Sequence, residues 1–253
     1  KASLRVTKEV YVDGAITTDT TFTGKAFKVT IQNSANEYLQ ADKTFGTTAH
    51  EWTVSKDAEL VITDLPTGSY TVTETETGRS VTKYTFADSD GTFSGVAVVS
   101  TTTSECEPVN LVNKYTRDKG TIEVTKEIYL DGEITTDTML AGKEFKVTIK
   151  DTATNLYLQS DKSFSSTAYE WTVKKNAKLT IADVPTGTYT ITETANGRSI
   201  DLYTFDSENS TTVAADQILA KGATLEAGMI NKYTRDKASL RVTKEVYVDG
   251  AIT

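Results

Sequence analysis

Hydrophobic and polar residues alternate strictly in the segment LRVTKEVYV, which covers residues 4–12. An alternation of period two is typical of a β-strand with one buried face, because successive side chains point to opposite sides of a sheet. No window of the chain shows a clear apolar period of about 3.6 residues, which a surface helix would have. Threonine, which favours strands, is abundant. The pattern therefore predicts an all-β chain.

The strand pattern belongs to a repeat that spans about half of the chain. LRVTKEVYVDGAITTDT from Leu4 returns as IEVTKEIYLDGEITTDT from Ile122, an offset of 122 − 4 = 118, and VNKYTRDK returns as INKYTRDK at the same offset. A repeat of this length can enclose its own hydrophobic core. We predict tandem domains at residues 1–118 and 119–236.

A third copy starts near the C-terminus. Residues 237–253 are identical to residues 1–17, so we interpret them as the truncated first strand of a third repeat. Identity across two repeats indicates either an alternating array in a longer protein or an engineered or trimmed chain. A lone strand needs something to pack on, and we expect adjacent repeats of the same protein in a fibre to be the partners.

A lysine interrupts the apolar face of each first strand. Lys8, Lys126 and Lys244 all lie in phase with the apolar positions around them. Burial of an unpaired ammonium costs several kcal/mol or forces the amine to become neutral. Each inward lysine therefore needs a partner, a shifted pKa or a covalent bond.

Two other polar residue types follow the same inward parity. Glu74 and Glu193 lie in phase with the apolar residues of the strand after each PTG turn, and Asn113 and Asn231 in phase with those of the last strand. One lysine, one glutamate and one asparagine are thus predicted inside each complete unit. A buried ion pair with a hydrogen-bonded asparagine is one interpretation, although such pairs stabilise proteins poorly. A covalent crosslink is the other.

The ordered motifs VTK, TVSKDAELVITDLPTGSYTVTE and VNKY resemble the Cna B-type and T-antigen pilin shaft domains of Gram-positive surface proteins. The resemblance covers both complete units and implies immunoglobulin-like β-sandwiches arranged as a rod. It also implies that the lysine of the first strand condenses with the asparagine of the last, promoted by the glutamate. The implied bonds join Lys8 to Asn113 beside Glu74, and Lys126 to Asn231 beside Glu193. Lys244 has no such partner within the chain and is expected to stay unlinked.

This chemistry suits an apolar pocket. Desolvation disfavours both charged forms, so that the pair can exist as a nucleophilic neutral amine and a protonated acid. The acid can hydrogen-bond the asparagine carbonyl, stabilise the charge that develops there and pass a proton to the departing ammonia. Each site reacts once, so we expect no enzyme in the usual sense, and no cofactor.

The resemblance indicates a stalk or shaft repeat of a Gram-positive adhesin or pilus, extracellular and held at the cell wall. An adhesive module that binds a host ligand through variable loops, at residues 87–94 and 206–211, is the alternative. A pilin polymerised by sortase is a third possibility, but no nucleophilic lysine motif or sorting signal is recognisable.

Composition excludes several other classes. A net charge of −8 and a pI near 4.9 argue against nucleic acid or an anionic membrane as partner. No run approaches the roughly 20 apolar residues of a membrane span. Asp88 and Asp90 lack the rest of a calcium loop. His50 is replaced by Tyr169 in the second unit, and Cys106 has no counterpart there, so neither is expected to be functional.

Overall fold

The computed structural model describes residues 2–98, 107–136, 138–140, 142–249 and 251–252. The chain divides into two compact units, Lys1–Lys119 and Gly120–Thr253. Regular structure in these residues is β-strand, apart from two short 3-10 turns at Thr20–Phe22 and Thr138–Leu140. The all-β prediction is therefore confirmed. Nowhere in the described ranges does a helix combine the length and apolar character needed to cross a membrane.

In the described residues of the first unit, eleven strands form two sheets. They are β1 (Ala2–Val12), β2 (Ala15–Ile16), β3 (Ala26–Asn33), β4 (Tyr38–Leu39), β5 (Phe45–Gly46), β6 (Trp52–Ser55), β7 (Leu60–Leu65), β8 (Gly68–Glu74), β9 (Tyr84–Asp90), β10 (Thr92–Val98) and β11 (Val109–Arg117). The first sheet has the order β2-β1-β11-β9, with β7 also paired to β1. The second has the order β10-β8-β3-β4-β5, with β6 also paired to β3.

The first and last strands of this unit are parallel neighbours. β1 and β11 pair over seven positions, with Lys8 opposite Leu111 and Val10 opposite Asn113. Inward residues of both sheets form one hydrophobic core, which includes Leu4, Val29 and Tyr115. The burial of alternate residues in β1 and β11 matches the period-two pattern of the sequence.

The second unit repeats this arrangement. Its strands are β12 (Lys119–Leu130), β13 (Glu133–Ile134), β14 (Glu144–Asp151), β15 (Tyr157–Leu158), β16 (Phe164–Ser165), β17 (Trp171–Lys174), β18 (Leu179–Pro185), β19 (Gly187–Glu193), β20 (Tyr203–Thr211), β21 (Val213–Leu219), β22 (Thr224–Arg235), β23 (Tyr247–Val248) and β24 (Ala251–Ile252). Strands β12 and β22 are parallel neighbours, with Ile128 opposite Asn231. The sheet orders are β13-β12-β22-β20, with β18 on β12, and β16-β15-β14-β19-β21, with β17 on β14.

The C-terminal copy of the first strand behaves differently. Residues 238–246 form no strand and are exposed, and only the small β23–β24 hairpin follows. The expected long first strand of a third repeat is therefore not formed. The same sequence is a buried strand in β1, where β11 and β7 supply hydrogen-bond partners on both sides. Pairing, rather than the sequence of the segment, makes this strand.

Glycines at positive φ shape two turns of the first unit. Gly14 has φ +87° in the turn between β1 and β2, and a Cβ there would meet nothing within 4 Å. Gly78 has φ +86° after β8, and a Cβ there would lie 2.5 Å from the main-chain oxygen of Ala26. Only the second glycine is needed for both its conformation and its small size.

We expect Gly78→Ala to destabilise the protein far more than Gly14→Ala. Both substitutions force alanine into a left-handed conformation at about 1–2 kcal/mol, but only Gly78→Ala also pushes a methyl group into β3. The total cost of Gly78→Ala should be at least about 3 kcal/mol. Urea unfolding followed by tryptophan fluorescence measures the difference, and equal effects of the two variants would contradict the steric argument.

Candidate functional site

The inward lysine, glutamate and asparagine of the first unit meet in its core. Lys8 lies on β1 and Asn113 on the neighbouring parallel strand β11, whereas Glu74 lies on β8 of the opposite sheet. Lys8 is 4% exposed, Glu74 3% and Asn113 0%. The trio therefore spans the interior between the two sheets, as the parity of the sequence indicates.

The Glu74 carboxylate bridges the other two side chains. Lys8 Nζ donates to Glu74 Oε2 at 2.6 Å, and Asn113 Nδ2 donates to Glu74 Oε1 at 2.7 Å. The side chains of Lys8 and Glu74 have no exposed surface. One carboxylate thus holds an amine and an amide on its two oxygens, in a volume that excludes water.

The second unit has the same contacts. Lys126 Nζ donates to Glu193 Oε2 at 2.6 Å, and Asn231 Nδ2 donates to Glu193 Oε1 at 2.6 Å. Lys126 and Glu193 again have side chains without exposed surface. Two units that differ in many surface residues therefore keep one interior arrangement.

An aromatic ring covers each lysine. Lys8 Nζ lies 4.9 Å from the ring centre of Phe27, and Lys126 Nζ lies 4.8 Å from that of Phe145. Burial lowers the pKa of Lys8 from 10.5 to about 8, although the hydrogen bond and charge of Glu74 oppose the shift. The pKa of Lys126 falls to about 8 for the same reason. Each amine is therefore easier to deprotonate than an ordinary lysine.

The asparagine amides face the glutamates through nitrogen. The carbonyl oxygens, Asn113 Oδ1 and Asn231 Oδ1, are buried and have no hydrogen-bond partner in the described part of the chain. The hydrogen bond to this carbonyl oxygen that we expect from the sequence belongs to the protonated acid, whereas the contacts in the structure engage the amide nitrogen. The difference has a simple cause, because a carboxylate can only accept hydrogen bonds and so selects the amide N–H groups.

Sequence reasoning missed an arginine beside each glutamate. Arg79 Nη2 donates to the main-chain oxygen of Glu74 at 3.0 Å, and Arg198 Nη2 to that of Glu193 at 2.9 Å. Arg198 Nε also donates to Glu193 Oε1 at 3.3 Å, whereas Arg79 Nε lies 3.6 Å from Glu74 Oε1. The shared tripeptide GRS after β8 and β19 was the available signal.

Other residues named from the sequence lie away from these sites. Lys244 is exposed. Asp88 and Asp90 lie 3.7 and 3.9 Å from Lys114 Nζ, and the residues that the structure describes contain no cluster of ligands able to hold a metal. His50 packs edge-on against Trp52. Cys106 lies outside the described residues.

The family relationship follows from the sequence of both units. The profile of a family described as "Domain of unknown function (DUF5979)" matches residues 4–116 and again residues 122–234. The chain belongs to the DUF5979 family. The description of this family names no activity, so the site of this DUF5979 chain has to be interpreted from its geometry. No curated protein matches the chain.

Solved structures with a similar arrangement include bacterial proteins of low sequence identity. The TIE protein of Bacillus anthracis is 16% identical, with a TM-score of 0.47, and the alignment covers 91% of this chain and 34% of that protein. The major pilin of Streptococcus pyogenes is 13% identical, with a TM-score of 0.37 and coverages of 93% and 99%. The minor pilin GBS52 of Streptococcus agalactiae is 12% identical, with a TM-score of 0.36 and coverages of 96% and 100%. This chain thus spans about a third of the TIE protein.

Burial predicts a sharp difference in lysine reactivity. In the native protein, an amine-reactive acetylating reagent should modify Lys244 within minutes and leave Lys8 and Lys126 unmodified, because the last two have no exposed side-chain surface. Lys8 and Lys244 lie in identical local sequences. Peptide mass spectrometry still distinguishes them, since the modified peptide of Lys8 continues beyond Thr17 and that of Lys244 does not. Rapid native labelling of Lys8 would contradict the buried site.

Proposed function

We propose that the chain is a structural shaft repeat of a bacterial surface fibre whose two units each form an intramolecular Lys–Asn isopeptide bond. One observation carries this proposal. In each unit a single buried carboxylate contacts the amine of a lysine through one oxygen and the amide nitrogen of an asparagine through the other. These are the nucleophile and the leaving group of an amide-forming reaction.

The contacts supply a proton path for the reaction. The neutral amine of Lys8 attacks Cγ of Asn113, and the attacking nitrogen gives a proton to Glu74 Oε2 as the C–N bond forms. The new C–N bond forms as the bond to Nδ2 breaks, and the carboxyl group delivers a proton to the departing nitrogen. Of the three ammonium protons, one is lost to solvent when the amine becomes neutral, one stays on the new amide and one reaches the ammonia through the carboxyl group. Each site reacts once, so the chain is not a turnover enzyme.

Burial makes the nucleophile available near neutral pH. A lysine with a pKa of about 8 is neutral in about a tenth of molecules at pH 7, roughly 300 times more often than at the ordinary pKa of 10.5. The fold holds the amine and the amide on neighbouring strands. Well-oriented intramolecular partners reach effective concentrations on the order of 10⁵ M or more. No external catalyst is required.

The position of the bond in the fold suits a load-bearing role. Because β1 and β11 are parallel, the chain enters a unit at the start of β1 and leaves it at the end of β11, at the opposite end of the pair. Tension would shear these two strands. A bond between Lys8 and Asn113 would carry the force directly from one strand to the other and leave residues 9–112 unloaded.

The repetition of one site in both units suits a spacer with adjacent repeats as its neighbours. A covalent bond of this type would stabilise a domain outside the cell without cysteine pairs. Together with the resemblance to shaft domains of Gram-positive surface proteins, this supports a location on the surface of a Gram-positive bacterium. The adhesive alternative would need a binding surface in loops that differ between the units.

The proposal predicts the mass of the protein. Freshly folded protein should be lighter than its sequence by two molecules of ammonia. The Glu74→Ala protein should be lighter than its own sequence by only one molecule of ammonia, because the proton path of the first unit is lost and that of the second is intact. Without the bond, the segment between Lys8 and Asn113 is no longer a closed loop. The free energy of unfolding should then fall by roughly 4.7 kcal/mol, as for loss of a disulfide of similar span, and the melting temperature should fall by on the order of 20 °C.

Glu76→Ala is the matched control, since Glu76 lies two residues further along the chain and is exposed. This variant should keep the wild-type mass and nearly the wild-type melting temperature. Full sequence mass in the wild-type protein would reject the covalent bond and leave the buried ion pair. Unfolding the protein before acetylation then provides an independent check, because linked Lys8 and Lys126 stay unreactive even in denaturant.

The reaction should accelerate with pH. Only the neutral amine attacks, and its population rises as pH increases through about 8, the lowered pKa of Lys8 and Lys126. Crosslinking of newly synthesised chains, stopped with acid at timed intervals, should therefore be slow at pH 6 and reach a plateau above pH 9. A rate that falls with increasing pH would contradict attack by a neutral lysine.

A further inference from the structure

A buried tyrosine hydroxyl lies against the reacting amide in the second unit. Asn231 Nδ2 donates to Tyr233 Oη at 3.3 Å, in addition to its bond to Glu193 Oε1 at 2.6 Å. Tyr233 is two residues beyond Asn231 on β22 and is 1% exposed. The side-chain parity of a strand places both residues on the inward face.

The proton of this hydroxyl is already engaged. Tyr233 Oη donates to the main-chain oxygen of Arg198 at 2.7 Å. A phenol has a single proton, so its oxygen faces the amide only as an acceptor. The two N–H groups of Asn231 Nδ2 are therefore divided between the glutamate and the tyrosine.

Tyr115 is the equivalent residue of the first unit, two positions beyond Asn113 on β11. Tyr115 Oη donates to the main-chain oxygen of Arg79 at 2.8 Å, and Tyr115 is 2% exposed. Burial raises the pKa of Tyr115 to about 12, while a hydrogen bond with Asn113 acts in the opposite direction. The hydroxyl therefore stays protonated over the range in which the lysine titrates, and it keeps its acceptor role.

Arg79 contacts both Tyr115 and Glu74. The main chain of Arg79 accepts from Tyr115, and its guanidinium donates to the main-chain oxygen of Glu74. The guanidinium also lies 5.1 Å from the ring centre of Phe86, which packs edge-on against the ring of Tyr115. Arg79, a residue outside the trio, thus contacts both the tyrosine and the glutamate.

We propose that Tyr115 and Tyr233 take part in crosslink formation by holding the leaving nitrogen of the asparagine. This inference rests on the proposed isopeptide function. When the lysine attacks, the amide loses its planarity and the nitrogen gains a free lone pair. The hydrogen bond to the tyrosine oxygen keeps that nitrogen in place, with its lone pair towards the protonated glutamate. Proton transfer then expels ammonia before the lysine can leave again.

Tyr115→Phe tests this role, because it removes only the hydroxyl. We expect crosslinking in the first unit to slow about tenfold, as for the loss of one hydrogen bond in the transition state. Full-length chains made by cell-free synthesis are stopped with acid at timed intervals and digested. The branched peptide that joins Lys8 to Asn113 reports the first unit, and the one that joins Lys126 to Asn231 is an internal control.

Tyr70→Phe is the matched control variant. Tyr70 is buried in the same unit, and its hydroxyl also donates to a main-chain oxygen, that of Pro66 at 2.9 Å. Its loss should cost similar stability and leave the rate of crosslinking unchanged. The pH midpoint of the Tyr115→Phe reaction should remain near 8, because the surroundings of Lys8 are intact.

Each result has a distinct meaning. A wild-type chain without branched peptides would reject the isopeptide function itself. Wild-type crosslinking with an equal rate in Tyr115→Phe would overturn the role of the tyrosine and leave the function intact. Equal slowing by Tyr70→Phe, or a shifted pH midpoint, would show a general loosening of the unit and would also overturn it.

Discussion

A carboxylate buried between an amine and an amide is the interaction on which each unit depends. Glu74 reaches from one sheet to Lys8 and Asn113 on the other, and all three are buried away from water. A charge in such a place costs several kcal/mol unless its partners are complete. The ring of Phe27 and the guanidinium of Arg79 complete the surroundings. Any one of the lysine, glutamate and asparagine side chains, buried without its partners, would destabilise the unit.

The strand topology explains why this contact suits the proposed load-bearing role. Strands that are distant in sequence, β1 and β11, lie side by side and parallel, so the chain enters and leaves the unit at opposite ends of one pair of strands. Hydrogen bonds between parallel strands under shear are the natural point of failure in such a domain. The lysine and asparagine lie on this pair, and the glutamate lies on the opposite sheet, so under the proposed function the glutamate would promote the bond without carrying load.

The sequence predicted which side chains face inward, because parity is a local property of a strand. Parity alone could not reveal which inward groups touch, since Lys8 and Asn113 become neighbours only through pairing across most of the unit. Arg79 escaped notice because a turn around Gly78, rather than a strand pattern, directs it. Parity likewise does not determine which atom of the Asn113 amide contacts Glu74. The repeat and the motif resemblance identified the trio, and only the structure added the tyrosine.

The two copies of the first-strand sequence show whether the burial of the lysine comes from the local sequence or from the tertiary structure. Residues 1–17 and 237–253 are identical, yet Lys8 is enclosed and Lys244 is exposed. The burial that lowers the pKa of Lys8 is therefore a property of the assembled sandwich and not of the VTK motif. A first strand without its neighbours lacks the desolvation that makes the lysine nucleophilic. Under the proposed function, bond formation would therefore follow the pairing of β1 with β11 and the packing of the second sheet against them, and this order would restrict the reaction to correctly folded units.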